Sequence, residues 1–479
     1  MEGAATRPTT AADAALLCVD LDGTLVRTDV GVESILALLK RNPLHALALP
    51  VWFARGKASL KHEVARRAEI DAASLPYNEA LVEHLRAEKA AGRRLVLATA
   101  TNERYARAVA DHLDLFEAVI ASDEATNLKG EAKLARMQAF AGTDGFDYAG
   151  NAAPDLRIWP HAREAIVVSP GRGVLDRARR IARVGRVFDA GGGRLADYLR
   201  ALQPYQWLKN LLLLVPLFAA HRVGEIGLLA DVILAFIAFG LTASSVYLVN
   251  DLLDLAADRR HARKRYRPIA SGRVPVQHAA LLAPLLLLLA LVIASALPLV
   301  FLGMLFLYYV TSTAYSFWLK RVELVDVLVL AGLYTLRIVA GAMAVSVALS
   351  FWLLAFSMFF FLSLALVKRY SELLALQEAG GTVAAGRGYQ VSDLETLHAL
   401  GAASGYTSVL VLALYVNSEK VLLLYRHPEA VWLVCPLILY WISRVWLAAR
   451  RGTLQEDPVL FALRDSPSRC VALILMLAA

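Results

Sequence analysis

From Ala279 to Trp318 the chain carries no Asp, Glu, Lys or Arg. About 20 apolar residues cross a bilayer as a helix, so a run roughly twice that long holds two crossings, with Pro298 at the turn between them. Further apolar runs lie at about 210–221, 229–249, 324–345, 350–367, 397–416, 430–449 and 468–479. With 279–297 and 299–318 they make about nine candidate spans, the first and last of them short. Residues 208–479 alternate such runs with short charged loops, whereas residues 1–200 mix charge and hydrophobicity as a globular domain does. The chain is therefore expected to join a soluble N-terminal domain to an all-α multispan membrane domain.

The remaining composition fits that division. The chain is 58% hydrophobic with a net charge of +8, and basic loops between spans account for the charge without invoking nucleic acid. Lys and Arg concentrate in the loops near 259–273, 320–321, 368–387 and 450–469, while the opposite loops hold only Arg222, Lys420 and Arg426. The positive-inside rule then places the first set, and the N-terminal domain with it, on the cytoplasmic side of the inner membrane. Cys18, Cys435 and Cys470 are scattered and form neither a disulfide framework nor a metal spacing. The first residues, MEGAATRPTTAADAA, lack a basic start followed by an apolar core, so no secretory signal peptide is expected.

Between two apolar runs lies NDLLDLAADRRHARKRYRPIASGRVP, residues 250–275. Asn250, Asp254 and Asp258 are spaced i, i+4, i+8 and share one face of a helix. One amide and two carboxylates suit a hard cation such as Mg²⁺, which shares phosphate oxygens with its protein ligands. Arg259, Arg260, Arg263, Lys264, Arg265 and Arg267 follow at once. Acids beside a basic cluster are what a Mg²⁺–diphosphate complex requires, with metal on the acids and residual phosphate charge on the guanidinium groups. A basic cytoplasmic loop explains the arginines alone, but not the spacing of the acids.

This stretch resembles the first Asp-rich motif of the UbiA superfamily of intramembrane prenyltransferases. Its HxxKRxRPIAxG continuation is most similar to the decaprenyl-phosphate phosphoribosyltransferase branch, and the likeness extends from about Leu199 to the C-terminus. QPYQWLKN, with Lys209 and Asn210, resembles the RPxQWxKN start of that branch, with Leu202-Gln203 where an Arg often stands. Tyr315 and Lys320 form YxxxxK, Tyr334 and Arg337 form YxxR, and Lys368 and Tyr370 belong to KRYSEL. The resemblance implies transfer of 5-phosphoribosyl from phosphoribosyl diphosphate to a polyprenyl phosphate, releasing diphosphate. Asp254, Asp258 and Lys320 would be catalytic. Lys209, Asn210, Arg259, Lys264, Arg265, Arg267, Tyr315, Tyr334, Arg337, Lys368 and Tyr370 would bind substrate. Arg337, deep in an apolar segment, needs a partner, and either Asp326 or a bound phosphate would serve.

In the N-terminal domain, short apolar runs at Ala14–Val19, Arg94–Thr99, Ala118–Ser122 and Ala165–Ser169 are separated by helical stretches. This pattern predicts an α/β doubly wound, Rossmann-like sheet, with ligands at the carboxyl ends of the strands. There stands Asp20-x-Asp22-Gly23-Thr24, followed by Thr99, Lys129 in NLKGEAK, and Gly150-Asn151-Ala-Ala-Pro-Asp155. These motifs, in this order, resemble the haloacid dehalogenase (HAD) phosphohydrolases over about residues 14–170. The resemblance implies Asp20 as nucleophile and Asp22 as general acid and base. It also implies Thr99 and Lys129 on the phosphoryl group, and Mg²⁺ held by Asp20, Asp22 and Asp155. Asn151 stands where the family usually has an acid, which removes one charge from the metal site.

Residues 30–92 read as a mostly helical cap. Within it, Leu44–Phe53 is too short to span a bilayer; it either rests on the membrane surface or packs the cap, and packing is the expectation. Residues 171–198 read as a basic linker, helical over its arginines and broken at Gly191–Gly193. Two rival functions stay open: a prenyltransferase using a prenyl diphosphate donor, and a transporter or lipid-binding scaffold with an inactive HAD-like domain. Oligomeric state is not legible in the sequence.

Overall fold

The computed structural model describes residues 16–189, 193–384, 387–416, 432–454, 458, 461–462 and 465–478. Two compact units divide the chain, one made of residues up to Gln203 together with Tyr247–Pro284, the other of Pro204–Val246 with the remainder from Leu285.

The first unit is built on six strands: β1 (Leu16–Val19), β2 (Leu95–Asn102), β3 (Ala118–Ser122), β4 (Phe146–Gly150), β5 (Ala165–Val168) and β6 (Val184–Phe188). Their order is β3-β2-β1-β4-β5-β6, and every pairing is parallel. Parallel strands need both faces covered, and both are. One face carries a core around Leu17, Val19, Leu81, Leu97 and Val109. The other carries Cys18, Val96, Met137, Tyr148 and Trp159. The register sets Val19 beside Leu97 and Ala149, so the chain leaves the centre of the sheet at Asp20.

Two strands lie outside the sequence expectation. Strand β4 carries Asp147 and Tyr148 in mid-strand, and Asp147 is paired with Arg93. Strand β6 falls within the stretch expected to be a basic linker helix. That stretch is helical only over Val174–Ile181, after which Val184–Phe188 pairs with β5 as an edge strand. Charged side chains such as Arg186 are what an exposed sheet edge needs, and they conceal the strand among arginines.

The cap contains helix α1 (Val30–Arg41), a 3₁₀ turn (Pro43–Leu47), helix α2 (Leu49–Ala54) and helix α3 (Lys57–Arg67). Asp29 caps α1 by accepting from the Val32 N–H, and Lys40 and Arg41 close its last turn, where the helix dipole favours cations. Leu38, Trp52, Val64 and Ala68 form the cap core. The expectation for Leu44–Phe53 is met only by the residues facing that core, Ala48, Leu49 and Trp52. Leu44, Leu47, Val51 and Phe53 are exposed.

Tyr247–Pro284 completes this unit. It comprises the end of the Ile226–Leu253 helix, a short helix over Leu255–Arg260, a 3₁₀ turn at Lys264–Tyr266 and the start of the Val276–Ala294 helix.

The second unit is helical. Among the described residues, six helices are long and apolar enough to cross a membrane: Ile226–Leu253, Val276–Ala294, Leu299–Phe317, Val325–Ala344, Phe351–Glu378 and Val391–Val416. The protein is a multi-pass integral membrane protein. The nine expected spans are not all found among the described residues. The first, 210–221, is a 3₁₀ stretch over Pro204–Leu214 followed by a five-residue helix, Val215–Ala219. The last two are helices of 17 residues, Val434–Arg450, and 13 residues, Ser466–Ala478. Lys420 and Arg426, used in the charge argument, lie outside the described residues, as do Gly191 and Gly192. Polar side chains join the helices at close range: Ser363 Oγ donates to the Gly401 carbonyl at 2.7 Å and accepts from Trp446 Nε1 at 3.1 Å.

Candidate active sites

At the carboxyl end of β1, Lys133 Nζ meets Asp20 Oδ1 at 2.6 Å and also donates to the Tyr148 hydroxyl at 2.7 Å. Tyr148 in turn donates to Asp155 Oδ1 at 2.8 Å, and Asp155 Oδ2 accepts the N–H groups of Asn151 and Ala152 at 2.9 Å. Asp22 Oδ1 accepts from the Val30 N–H at 2.8 Å, and its other oxygen accepts from the Thr101 hydroxyl. Gly23 lies between these groups with a φ of +73°, and a side chain there would strike Asn151 Nδ2 at 2.1 Å. Asn151 thus packs closely against Gly23 in the cavity wall.

Burial raises both carboxyl groups above the ordinary carboxylate range. For Asp20, desolvation outweighs the attraction of Lys133. For Asp22, desolvation is reinforced by the neighbouring charges of Asp29 and Asp20. One carboxylate paired with a lysine beside a second carboxyl held toward its neutral form is the arrangement a nucleophile and a general acid need.

Two neighbours of the expected residues stand against the acids, Lys133 on Asp20 and Thr101 on Asp22. Lys133, not Lys129, reaches Asp20; Lys129 lines the cavity wall. A helix starting at Glu131 presents position 133 to the strand ends, a geometry the motif spelling did not convey. Thr99 is fully buried, with its hydroxyl accepting from the Thr101 N–H at 3.1 Å, and Thr101 takes the cavity position.

The cavity over these residues has a volume of about 820 Å³. Its wall includes Arg27, Lys61 and Arg172, and also Arg273, from the segment linking two membrane helices, and His278, in the first turn of the second of them. Gly272, at φ +72°, lies against Arg27, where a side chain would meet the Arg27 carbonyl oxygen at 2.6 Å. His278 Nδ1 is 2.6 Å from the Tyr198 hydroxyl, and Arg273 pairs with Asp197 at 3.4 Å.

The Asp-rich segment is tied to the cap. Asp254 Oδ1 is 3.2 Å from Lys40 Nζ, and Arg259 forms a two-pronged bond to Glu33 at 2.8 and 2.6 Å. Arg260 meets Asp71 at 2.6 Å. Asp258 and Asp251 share Arg267, at 2.7 and 2.9 Å. The i→i+4 bonds from Asp254 to Asn250 and from Asp258 to Asp254 continue the helical path, although the long helix ends at Leu253. Arg265 instead lies on Tyr266, and Lys264 stands 4.0 Å from Asp258. Among the described residues no group of three or more His, Cys, Asp or Glu side chains converges as a metal cage.

In the second unit, Arg337 is buried and donates to Asn210 Oδ1 at 3.1 Å, the Leu333 carbonyl at 2.6 Å and the Tyr308 hydroxyl at 3.0 Å. None of these carries charge, and the Asn210 amide nitrogen has no hydrogen-bond partner among the described residues. Asp326, the protein partner considered for Arg337, pairs instead with Arg369, Tyr315 and Arg387. Lys209 lies 5.6 Å from the Tyr334 ring centre, and Tyr334 stacks on Phe361. Tyr370 packs in an aromatic cluster with His398 and Trp446, a core position rather than a ligand-facing one. Lys320 lies in a 3₁₀ turn at Leu319–Arg321 and Lys368 on the Phe351–Glu378 helix, both partly buried.

Residues 211–466 match the UbiA prenyltransferase family. The chain belongs to that family. The UbiA domain is preceded by a HAD-like domain, since residues 17–157 match the haloacid dehalogenase-like hydrolases. The same combination spans a relative from Sinorhizobium fredii, the uncharacterized protein y4nM, which is 36% identical over 95% of this chain and 88% of its own length. Nodulation protein NoeC of Azorhizobium caulinodans is 35% identical over 57% of this chain and 88% of its own. The decaprenyl-phosphate phosphoribosyltransferase of Mycolicibacterium smegmatis is 33% identical over 57% of this chain and 87% of its own.

Within the UbiA domain, sequence reasoning missed Asp251, which faces Arg267 and Gln203, and the buried Asp326–Arg369 pair. Asp251 sits one residue off the i, i+4 pattern, and nothing in its spelling separates it from a helix-end acid. Within the HAD-like domain it missed Lys133 and Thr101. Thr101 lies two residues beyond Thr99 on the same strand, whereas Lys133 lies on the helix that begins after Lys129, so only the phase of that helix singles it out.

Proposed function

We propose that the UbiA domain transfers 5-phosphoribosyl from phosphoribosyl diphosphate to a polyprenyl phosphate, and that the HAD-like domain removes the 5-phosphate of the lipid product. One observation carries the pairing. The cavity containing Asp20 and Asp22 is walled in part by Arg273, from the segment between two membrane helices, and by His278, in the first turn of the second helix. A phosphatase serving soluble metabolites alone has no need of a membrane-domain wall.

In the transfer step, an oxygen of the lipid phosphate attacks C1 of the ribose, the C1–O bond to diphosphate breaks, and diphosphate departs with the electron pair. Asn250, Asp254 and Asp258 are hard oxygen donors, and Lys40 already stands as a cation on Asp254. The donor set therefore fits Mg²⁺, which would supply charge neutralisation to the leaving diphosphate. Arg267 and Lys264 lie beside these acids to take residual phosphate charge. Arg337 supports the choice of donor. A buried guanidinium whose partners among the described residues are neutral favours an anion, and the 5-phosphate is the extra anion that a prenyl diphosphate lacks. The Lys320–Ala344 segment contains only Glu323 and Asp326 as acids, so it offers no second Asp-rich pair for a diphosphate bridged by metal.

In the second step, Asp20 attacks phosphorus while Asp22 gives its proton to the departing ribose oxygen. Asp22 then takes a proton from the water that hydrolyses the aspartyl-phosphate. Asp20, Asp155 and Asn151 would hold Mg²⁺ there, and Lys133 orients Asp20. Both reactions are assigned to the cytoplasmic side of the inner membrane, on the charge distribution of the loops.

The donor is tested with purified protein in nanodiscs. Diphosphate release from phosphoribosyl diphosphate should require both polyprenyl phosphate and Mg²⁺, and Arg337→Ala should reduce it by roughly 100-fold, the scale of losing a charge-assisted phosphate contact. Turnover of prenyl diphosphate with an aromatic acceptor, and none of the ribosyl donor, would assign the protein to the prenyl-donor reaction instead.

A further inference from the structure

The cap presents an apolar surface that its own core does not use. Leu44, Leu47 and Val51 follow the i, i+3, i+7 spacing of one helical face and are 71%, 78% and 52% exposed; Phe53 beside them is 56% exposed. The orientation is fixed from below. Trp52 is buried against Leu38 and Val64, and the Arg67 guanidinium lies 4.8 Å from its ring centre. Rotating the segment to hide its leucines would expose the tryptophan. The flanks are basic, with Lys40 and Arg41 before it and Arg55 and Lys57 after it, and no Asp or Glu occurs between Glu33 and Glu63.

One contact within the first unit ties the cap to the end of a membrane-length helix. Lys40 bonds Asp254, the first residue beyond the 28-residue Ile226–Leu253 helix. A helix of that length rises about 42 Å, more than the roughly 30 Å hydrocarbon core, so its ends lie at head-group level. Four residues of chain separate Lys40 from Leu44, a reach of at most about 14 Å. An apolar face rimmed by cations and tethered this close to a head group is the chemistry of a segment lying in the interface, its apolar side about 5–10 Å into the head-group and acyl boundary.

We propose that residues 43–54 are a monotopic membrane contact: the cap of the HAD-like domain rests on an anionic bilayer through Leu44, Leu47, Val51 and Phe53. The contact fixes the height of the Asp20 cavity above the lipid surface, and it stands whether or not that cavity hydrolyses a lipid-linked phosphate. It differs from a contact with a second copy or a soluble protein in needing only lipid.

The test uses the full chain in nanodiscs of mixed neutral and anionic phospholipid, one copy per disc, in a Cys470→Ser background. Cys18 and Cys435 are buried. A fluorophore is placed at Leu47→Cys and, as controls, at the exposed positions Glu83→Cys and Arg136→Cys. Lipids carrying a spin label high on the acyl chain should quench the Leu47 position at least about threefold more than either control. Adding Leu44→Gln and Val51→Gln should reduce that quenching severalfold while the thermal unfolding profile stays in place. Equal quenching at all three sites would overturn the proposal. So would quenching that persists in the Gln variant, or that arises only in discs holding two copies.

Discussion

Helix α1 touches both candidate sites of the first unit. Its first N–H binds Asp22, Glu33 in its first turn binds Arg259, and Lys40 in its last turn binds Asp254. The Glu33–Arg259 pair is the critical link. Both side chains are 6% exposed, and the guanidinium makes two bonds to the carboxylate. Removing one member of a buried pair leaves an uncompensated charge and costs about 3–5 kcal/mol. The Lys40–Asp254 pair is a single contact at 3.2 Å between side chains 36% and 24% exposed, where solvent screening leaves about 0–1 kcal/mol. Glu33→Ala should therefore raise the opening equilibrium of α1 and of residues 255–273 by roughly 100-fold or more, and Lys40→Ala by no more than about fivefold. Hydrogen–deuterium exchange of the full chain in nanodiscs reads both segments. The double change Glu33→Ala with Arg259→Met should recover part of the loss, because the stranded guanidinium is gone. Equal effects of Glu33→Ala and Lys40→Ala, or no recovery in the double variant, would refute the reasoning.

Two further outcomes follow from the HAD-like cavity. Lys133→Met should lower phosphatase turnover by roughly 100-fold, because it removes the cation on Asp20, whereas Lys129→Met should lower it only severalfold; steady-state rates on one phosphate monoester distinguish them. The phosphatase rate should also fall as pH rises through the raised value of Asp22, about 7. Asp22 donates its proton only below that value, while Asp20 attacks only when ionised, so the acid limb belongs to Asp20. A pH–rate profile flat from pH 6 to 9 would remove Asp22 from the general-acid role.

Much of this architecture was legible in the sequence, for physical reasons. The run of uncharged residues from Ala279 to Trp318 has a single low-energy environment, and it became two helices with Pro298 between them. Strands β1, β2, β3 and β5 were visible because buried parallel strands spell short apolar runs. Strand β4 was hidden because its Asp147 is neutralised by Arg93, from the end of the β2 approach, a pairing that only folding creates. Strand β6 was hidden because an edge tolerates arginine. The first expected span, 210–221, is divided near Pro216, which stands at the start of a new five-residue helix after the 3₁₀ stretch. At the sites, motif order located Asp20, Asp22 and Asp155 but not Lys133, since helix phase rather than motif spelling decides which lysine reaches a strand end. The acids at 254 and 258 were legible, but their cation partners Lys40 and Arg267 were not equally so. Arg267 lies in the same motif, whereas Lys40 comes from more than 200 positions earlier in the chain.

The central claim is that one chain builds a phosphoribosyl lipid and then removes its phosphate. It is tested most directly by mass analysis of the lipid products formed from phosphoribosyl diphosphate and polyprenyl phosphate by wild-type protein and by Asp20→Asn. The account predicts ribosyl lipid and free phosphate from the wild type, and from Asp20→Asn a lipid heavier by one phosphate, formed at an undiminished rate. The same lipid from both proteins, with the 5-phosphate retained, would contradict it.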